Sequence, residues 1–161
     1  MIVIGIDPGL ATVGFGVLRT ENGKITPISY GCIRTSADKQ TPQRLLEIFT
    51  EITSLFEKYE PEVIAVEKLF FSKNVTNALS VSESRGVIFL AAQQKNIPIF
   101  EYTPNQVKQA ITGSGSADKK QVQEMIKRLL DLVEIPKPDD AADGLSIALC
   151  HINFQKFALY Q

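Results

Sequence analysis

The chain has 161 residues, 44% of them hydrophobic and 22% charged, which fits a single domain over 1–161 and is too short for two well-packed lobes. No apolar run reaches membrane-spanning length, and residues 2–7 are too short and too acid-terminated for a signal peptide, so a cytoplasmic protein with no membrane partner is expected. A net charge of −1, from 17 Lys plus Arg against 18 Asp plus Glu, argues at first sight against a nucleic-acid partner. Cys32 and Cys150 lie far apart in apolar contexts without CxxC spacing and read as buried free thiols, not a disulfide or zinc site.

Residues 2–7, IVIGID, read as a buried strand that Pro8-Gly9 interrupts directly after Asp7. Thr12–Thr20 and Ile25–Thr35 follow as strands, and the Asn22-Gly23 pair between them is a strong hairpin signal. Thr41-Pro42 reads as a helix cap followed by Pro at the first helical position, with Leu45, Leu46, Phe49, Ile52, Phe56 and Tyr59 on one face and Pro61 as the stop. Val63–Glu67 is a short apolar strand that also ends on an acid. Residues 68–75 read as a loop, and a long helix runs from Thr76 or Asn77 to about Lys95. Ile97–Tyr102 is the fifth strand. Thr103-Pro104 opens a helix that ends near Gly113, a second spans about Asp118 to Val133, and a last one starts near Asp139 with Leu145, Ile147, Ala148, Leu149 and Ile152 on a broad apolar face.

Four carboxylates, Asp7, Glu67, Asp140 and Asp143, stand in otherwise apolar segments. Converging acids repel one another and resist desolvation unless protons or a cation neutralise them. Mg²⁺ suits such a set because it takes oxygen ligands and completes its shell with water and phosphate, which points to phosphoryl chemistry. Two ions sharing the cluster would activate a water and stabilise the leaving oxygen of a phosphodiester. Setting these four aside from the 18 acids leaves the rest of the chain about three charges positive, so a phosphate backbone is acceptable once metal is bound. Asp140 and Asp143 are one helical turn apart, but Asp139 is four residues from Asp143 and spacing alone does not choose between Asp139 and Asp140. Asp140 also suits a helix cap and Asp143 a first-turn acid.

Three strands in a meander, then helix, strand, helix, strand and helices, imply an α/β chain of ribonuclease H-like fold with a five-stranded mixed sheet flanked by helices. Ordered segments then make the resemblance specific: Gly5-Ile6-Asp7-Pro8-Gly9, Gly31 to Thr35, Glu67 to Phe70 with Lys73-Asn74, Ser84 to Val87, Phe100 to Tyr102, Gln106 to Gln109, Gly115 to Lys119, and Asp140-Ala141-Ala142-Asp143. From Ile4 to about His151 the chain resembles the RuvC family of bacterial Holliday junction resolvases. That resemblance implies a homodimer that nicks two opposing strands of a four-way DNA junction in recombination and repair. It implies Mg²⁺, with Mn²⁺ able to substitute, and work beside the RuvA-RuvB branch-migration complex.

The family pattern selects Asp140 with Asp7, Glu67 and Asp143 as metal ligands. It places Lys108 and Lys119 near the catalytic centre, where an ammonium contacts a phosphate as charge develops. Lys120, Lys73 and Arg85 are weaker phosphate-binding candidates, and Phe70 matches an aromatic that stacks on an unpaired junction base, with Phe71 as the competing register. The long helix from Asn77 to Lys95 carries Leu79, Val81, Val87, Ile88, Leu90 and Ala91, and is either a dimer interface or a buried core helix. His151 follows an apolar helical face and is expected to be structural. Gly5, Gly9, Gly14 and Gly16 do not make a phosphate-binding Walker loop, because no Gly-Lys-Ser/Thr ending is present, and suit tight turns and close backbone approach instead. The competing readings are another ribonuclease H-like nuclease on RNA or other branched DNA, a two-lobed nucleotide-binding ATPase of the actin and sugar-kinase type, whose phosphate loop Gly5-Ile6-Asp7-Pro8-Gly9 also resembles but which length disfavours, and a junction-binding subunit without catalysis.

Overall fold

A computed structural model describes residues 1–69 and 75–158 of the chain. Its centre is β1 (Ile2–Asp7), paired antiparallel with β2 (Thr12–Glu21) on one side and parallel with β4 (Val63–Glu67) on the other. Beyond β2 lies β3 (Lys24–Arg34), beyond β4 lies β5 (Ile99–Tyr102), and the sheet order is β3-β2-β1-β4-β5. β1 and β4 are covered on both faces, which is why they read as continuous apolar runs. The hairpin between β2 and β3 turns on Asn22 and Gly23, both at positive φ, the backbone that a two-residue primed turn demands.

The pleat sends alternate side chains into two cores. Ile4, Ile6, Ile64 and Val66 pack with helices α1 (Thr41–Tyr59) and α2 (Val75–Gln94). Val3 and Ala65 face the opposite way, toward α3 (Pro104–Thr112), α4 (Lys119–Leu129) and α5 (Asp139–Ala158). Each fully buried aliphatic side chain in these layers contributes about 1.5–3 kcal/mol against exposure.

Several boundaries differ from the sequence expectation. The cap of α1 is Gln40, whose amide donates to the Gln43 side chain at 3.0 Å, so Thr41 is already helical. The helix buries Ile48, Ile52 and Phe56, spaced four residues apart, and leaves Leu46 64% exposed, so Leu46 does not belong to the core face. β5 starts at Ile99 instead of Ile97, and α4 ends at Leu129 instead of Val133, which is 96% exposed. Thr103 does cap α3, its hydroxyl accepting from the Gln106 amide at 3.2 Å, and Gly113 closes that helix in the left-handed region.

α5 lies across β1 and β2 with almost no side-chain layer between. A Cβ on Gly14 would stand 2.0 Å from the Asp140 carbonyl oxygen, and one on Gly16 2.5 Å from the Leu145 amide nitrogen. From the helix side, a Cβ on Gly144 would stand 2.4 Å from the Phe15 carbonyl carbon. The glycines therefore serve close approach, and they bring the first turn of α5 down onto the end of β1 that carries Asp7.

Candidate active site

β1 and β4 are parallel with Ile6 opposite Val66, so Asp7 and Glu67 emerge side by side from the same end of the sheet. By pleat alternation they share the face that Val3 and Ala65 turn toward α5. α5 supplies the remaining acids from above. One oxygen each from Asp7, Asp140 and Asp143 can be chosen so that all lie within 4.8 Å of one another, a spacing suited to a shared hard cation. Glu67 stands outside that tight trio but lines the same cavity, of about 280 Å³, with Asp7, Asp143, Lys108 and Lys119.

The electrostatics show how far the cluster falls short of neutrality. Burial, reinforced by Glu67 and then Asp143 and Asp140, pushes the Asp7 carboxyl up to about 8 from 3.8. Burial and the nearby Asp143 charge raise Glu67, against the opposing pull of Lys108 and Lys119. Asp143 is raised by burial, although Lys119 pulls it back. Acids held above their ordinary range by burial and by one another's charge are a site short of positive charge, and a divalent ion supplies that charge without protonating the ligands.

Two lysines border the acids. Lys108 projects from α3 into the cavity. Lys119 begins α4 directly after its cap Asp118, whose carboxylate accepts from the Gln121 amide at 2.9 Å. The Lys119 ammonium lies 3.2 Å from Asp143 Oδ2 and 3.5 Å from Asp139 Oδ2. Burial alone would lower its pKa, but these carboxylates raise it, so it is firmly charged. Of the acidic pair, Asp140 is the one grouped with Asp7 and Asp143, while Asp139 is more exposed and faces Lys119.

The remaining candidates fall elsewhere. Lys120 lines a separate groove with Ser114, Ser116, Gln121 and Arg128 and does not border the acid cavity. Arg85 is partly buried: its guanidinium pairs with Glu101 and sits 4.9 Å from the Phe89 ring centre. In this structure that pairing joins α2 to β5. Phe70, Phe71 and Lys73 lie outside the described residues. His151 is fully buried, its Nδ1 2.8 Å from the Tyr102 hydroxyl and its ring 4.7 Å from that of Phe100, a structural post between α5 and β5. Cys150 is buried and Cys32 partly so, and both are free thiols.

Sequence reasoning missed the Lys119–Asp139 contact, because 20 residues, comprising α4 and the loop that follows it, separate the partners and no local period links them. It also missed the Tyr102–His151 pair. Tyr102 reads in the sequence as the end of the fifth strand, with no local signal pointing to His151.

A sheet of order 3-2-1-4-5, with acids at the ends of its two central parallel strands and on a helix laid over them, defines a ribonuclease H-like protein with a metal centre. The comparisons with known proteins narrow this. Residues 3–151 match the family model described as crossover junction endodeoxyribonuclease RuvC. The chain is 55% identical over 157 residues to the crossover junction endodeoxyribonuclease RuvC of Brevibacillus brevis, covering 98% of this chain and 95% of that one. It is 52% identical over 162 residues to the enzyme of the same name from Caldicellulosiruptor saccharolyticus, covering 100% and 98%. Among solved structures, T. thermophilus RuvC in complex with Holliday junction substrate superposes with a TM-score of 0.93 at 33% identity, covering 98% of this chain and 96% of that one. The chain belongs to the RuvC family.

Proposed function

We propose that this protein is a Holliday junction resolvase, a Mg²⁺-dependent endonuclease that places paired symmetric nicks in four-way DNA junctions and leaves 5′-phosphate ends. The observation that carries the reading is the convergence of Asp7, Asp140 and Asp143 within one ion's reach, beside Glu67 and two lysines, in a chain of this family. The acids fit hard divalent ions, because all the donors are carboxylate oxygens and burial, reinforced by neighbouring carboxylates, raises three of the four groups. Asp7, Glu67, Asp140 and Asp143 would hold Mg²⁺, or Mn²⁺ in its place, which when bound lowers the pKa of a water and neutralises the leaving oxygen.

The chain's own residues supply positioning. Lys108 and Lys119 approach the cavity from two different helices, so a phosphate entering between them meets fixed positive charge from both. Phe70 is assigned to an exposed base at the crossover, and Lys73 and Lys120 to the flanking backbone. The full span 1–161 is read as one nuclease domain acting in the cytoplasm. Among the described residues no helix is long and apolar enough to cross a membrane.

A junction with two-fold symmetry is matched by two identical sites, so the working unit is read as an isologous homodimer. α2 supports this. Ile88 and Ala91 are buried in the core, yet Leu79 and Leu90 remain 62% and 55% exposed, three turns apart on the opposite side. Handover from the RuvA-RuvB branch-migration complex completes the reading.

The decisive experiment incubates the protein with a synthetic four-way junction, linear duplex, an RNA–DNA hybrid and ATP, each with and without Mg²⁺. Symmetric cutting of the junction alone, dependent on the ion, is expected. Preferential cutting of the hybrid or hydrolysis of ATP would assign the chain to a different activity.

A further inference from the structure

The Lys119 ammonium occupies a particular place: it touches Asp143, one of the metal-suited trio, and Asp139, which lies outside it. A cation drawn to Asp143 must compete with a charge already seated there. Lys119 is the first residue of α4, directly after the Asp118 cap, so its backbone is anchored while its side chain, 53% exposed, bridges the two carboxylates at the protein surface. Asp139 sits in the first turn of α5, and its exposed carboxylate lies within the same reach. When Asp143 is taken up by an ion, repulsion displaces the ammonium from it, and Asp139 is the neighbouring anion that still holds it.

From this arrangement, and resting on the metal-dependent reading above, we propose that Lys119 is the resident counter-ion of the metal-free site and that Asp139 is its second berth. Metal entry breaks the Asp143 half of this bridge and leaves Lys119 held by Asp139 alone, with its ammonium still beside the cavity for an incoming phosphate. Asp139 is thus a positioning residue that acts through Lys119, and it holds no metal itself. Its proximity to Asp143 in sequence is what allows one lysine to bridge the two.

The roles separate by calorimetric titration of Mn²⁺ into the full chain without DNA, at pH 8.5 to limit proton competition. Removing a fixed positive charge from the edge of the site should tighten metal binding by about ten-fold in Lys119→Ala, and similarly in the longer neutral Lys119→Gln. The same variants should cut junctions more slowly at saturating Mn²⁺, so that binding and turnover move in opposite directions. Asp139→Asn should lower turnover several-fold in the wild-type background and have no further effect in the Lys119→Ala background. If wild-type protein bound no Mn²⁺, the metal-dependent reading would fall and this inference with it. If wild type binds and Lys119→Ala binds equally or more weakly, the counter-ion role alone is overturned. An equal loss from Asp139→Asn in both backgrounds would likewise remove Asp139 from the exchange.

Discussion

Replacing Asp7 by Asn should stabilise the metal-free protein, although it removes a group at the heart of the site. Burial and three neighbouring acids push the Asp7 carboxyl up to about 8 from 3.8. A folded-state pKa above the unfolded value means that the native state holds an extra proton between the two, so metal-free stability falls as pH rises from about 4 to about 8. At pH 7 the unfolded carboxyl is ionised while the folded one is mostly protonated. The gap of roughly three units between 3.8 and pH 7 then costs the native state about 4 kcal/mol, at 1.36 kcal/mol per unit. Part of that cost is shared with Glu67 and Asp143, which are raised by the same crowding, so the expected gain from Asn is about 2–3 kcal/mol. Chemical denaturation in the presence of a chelator, at several pH values from 4 to 8.5, measures it. The advantage of Asp7→Asn should grow across that range, and excess Mg²⁺ should reverse the order by stabilising only the wild type. A variant that is less stable than wild type at pH 7, or a difference that is flat with pH, would refute the reasoning.

Three further outcomes are expected. Gly14→Ala, whose methyl would meet the Asp140 carbonyl oxygen at 2.0 Å, should lose roughly 3 kcal/mol or more in thermal unfolding, with junction cleavage lost as α5 lifts from the sheet. A Leu79→Lys, Leu90→Lys double variant should sediment as a folded monomer with unchanged helical content by circular dichroism; a stable dimer would move the interface away from α2. Phe70→Ala should keep fold and metal affinity while losing junction cleavage, whereas a drop of roughly 3–5 kcal/mol in stability would make Phe70 a core residue.

Much of this architecture is legible along the chain, and the reasons are local. Apolar runs that end abruptly on Asp7 and Glu67 mark central strands, because a strand buried on both faces tolerates an acid only at its end. Asn22-Gly23 and Thr103 with Gln106 each fix a turn or a helix start through a neighbouring backbone group. What is not legible is set at a distance. On an ideal helix, Asp139 lies slightly closer than Asp140 to the azimuth of Asp143, so spacing could not prefer Asp140. The choice is made when Gly14 admits the Asp140 backbone and fixes the roll of α5 on the sheet. Leu46 lies six residues from Ile52, about 120° round an ideal helix from the buried stripe, so the apolar face suggested by the sequence is wider than the one that packs. Arg85 reads as a free surface charge until β5 presents Glu101 to it.

The bare contact between α5 and the sheet also bears on how such an enzyme tolerates change. Where a layer of interlocking side chains separates two elements, each conservative swap in that layer alters their spacing by a fraction of an ångström, and a catalytic gap spanning them drifts with it. Here main chain rests on main chain at Gly5, Gly14, Gly16 and Gly144, so the distance from Asp7 to Asp140 and Asp143 has few adjustable spacers. Ordinary turnover of residues in either core can proceed without disturbing the ion-binding geometry, while the four glycines form a short list of positions at which even a single methyl is felt at the reaction centre.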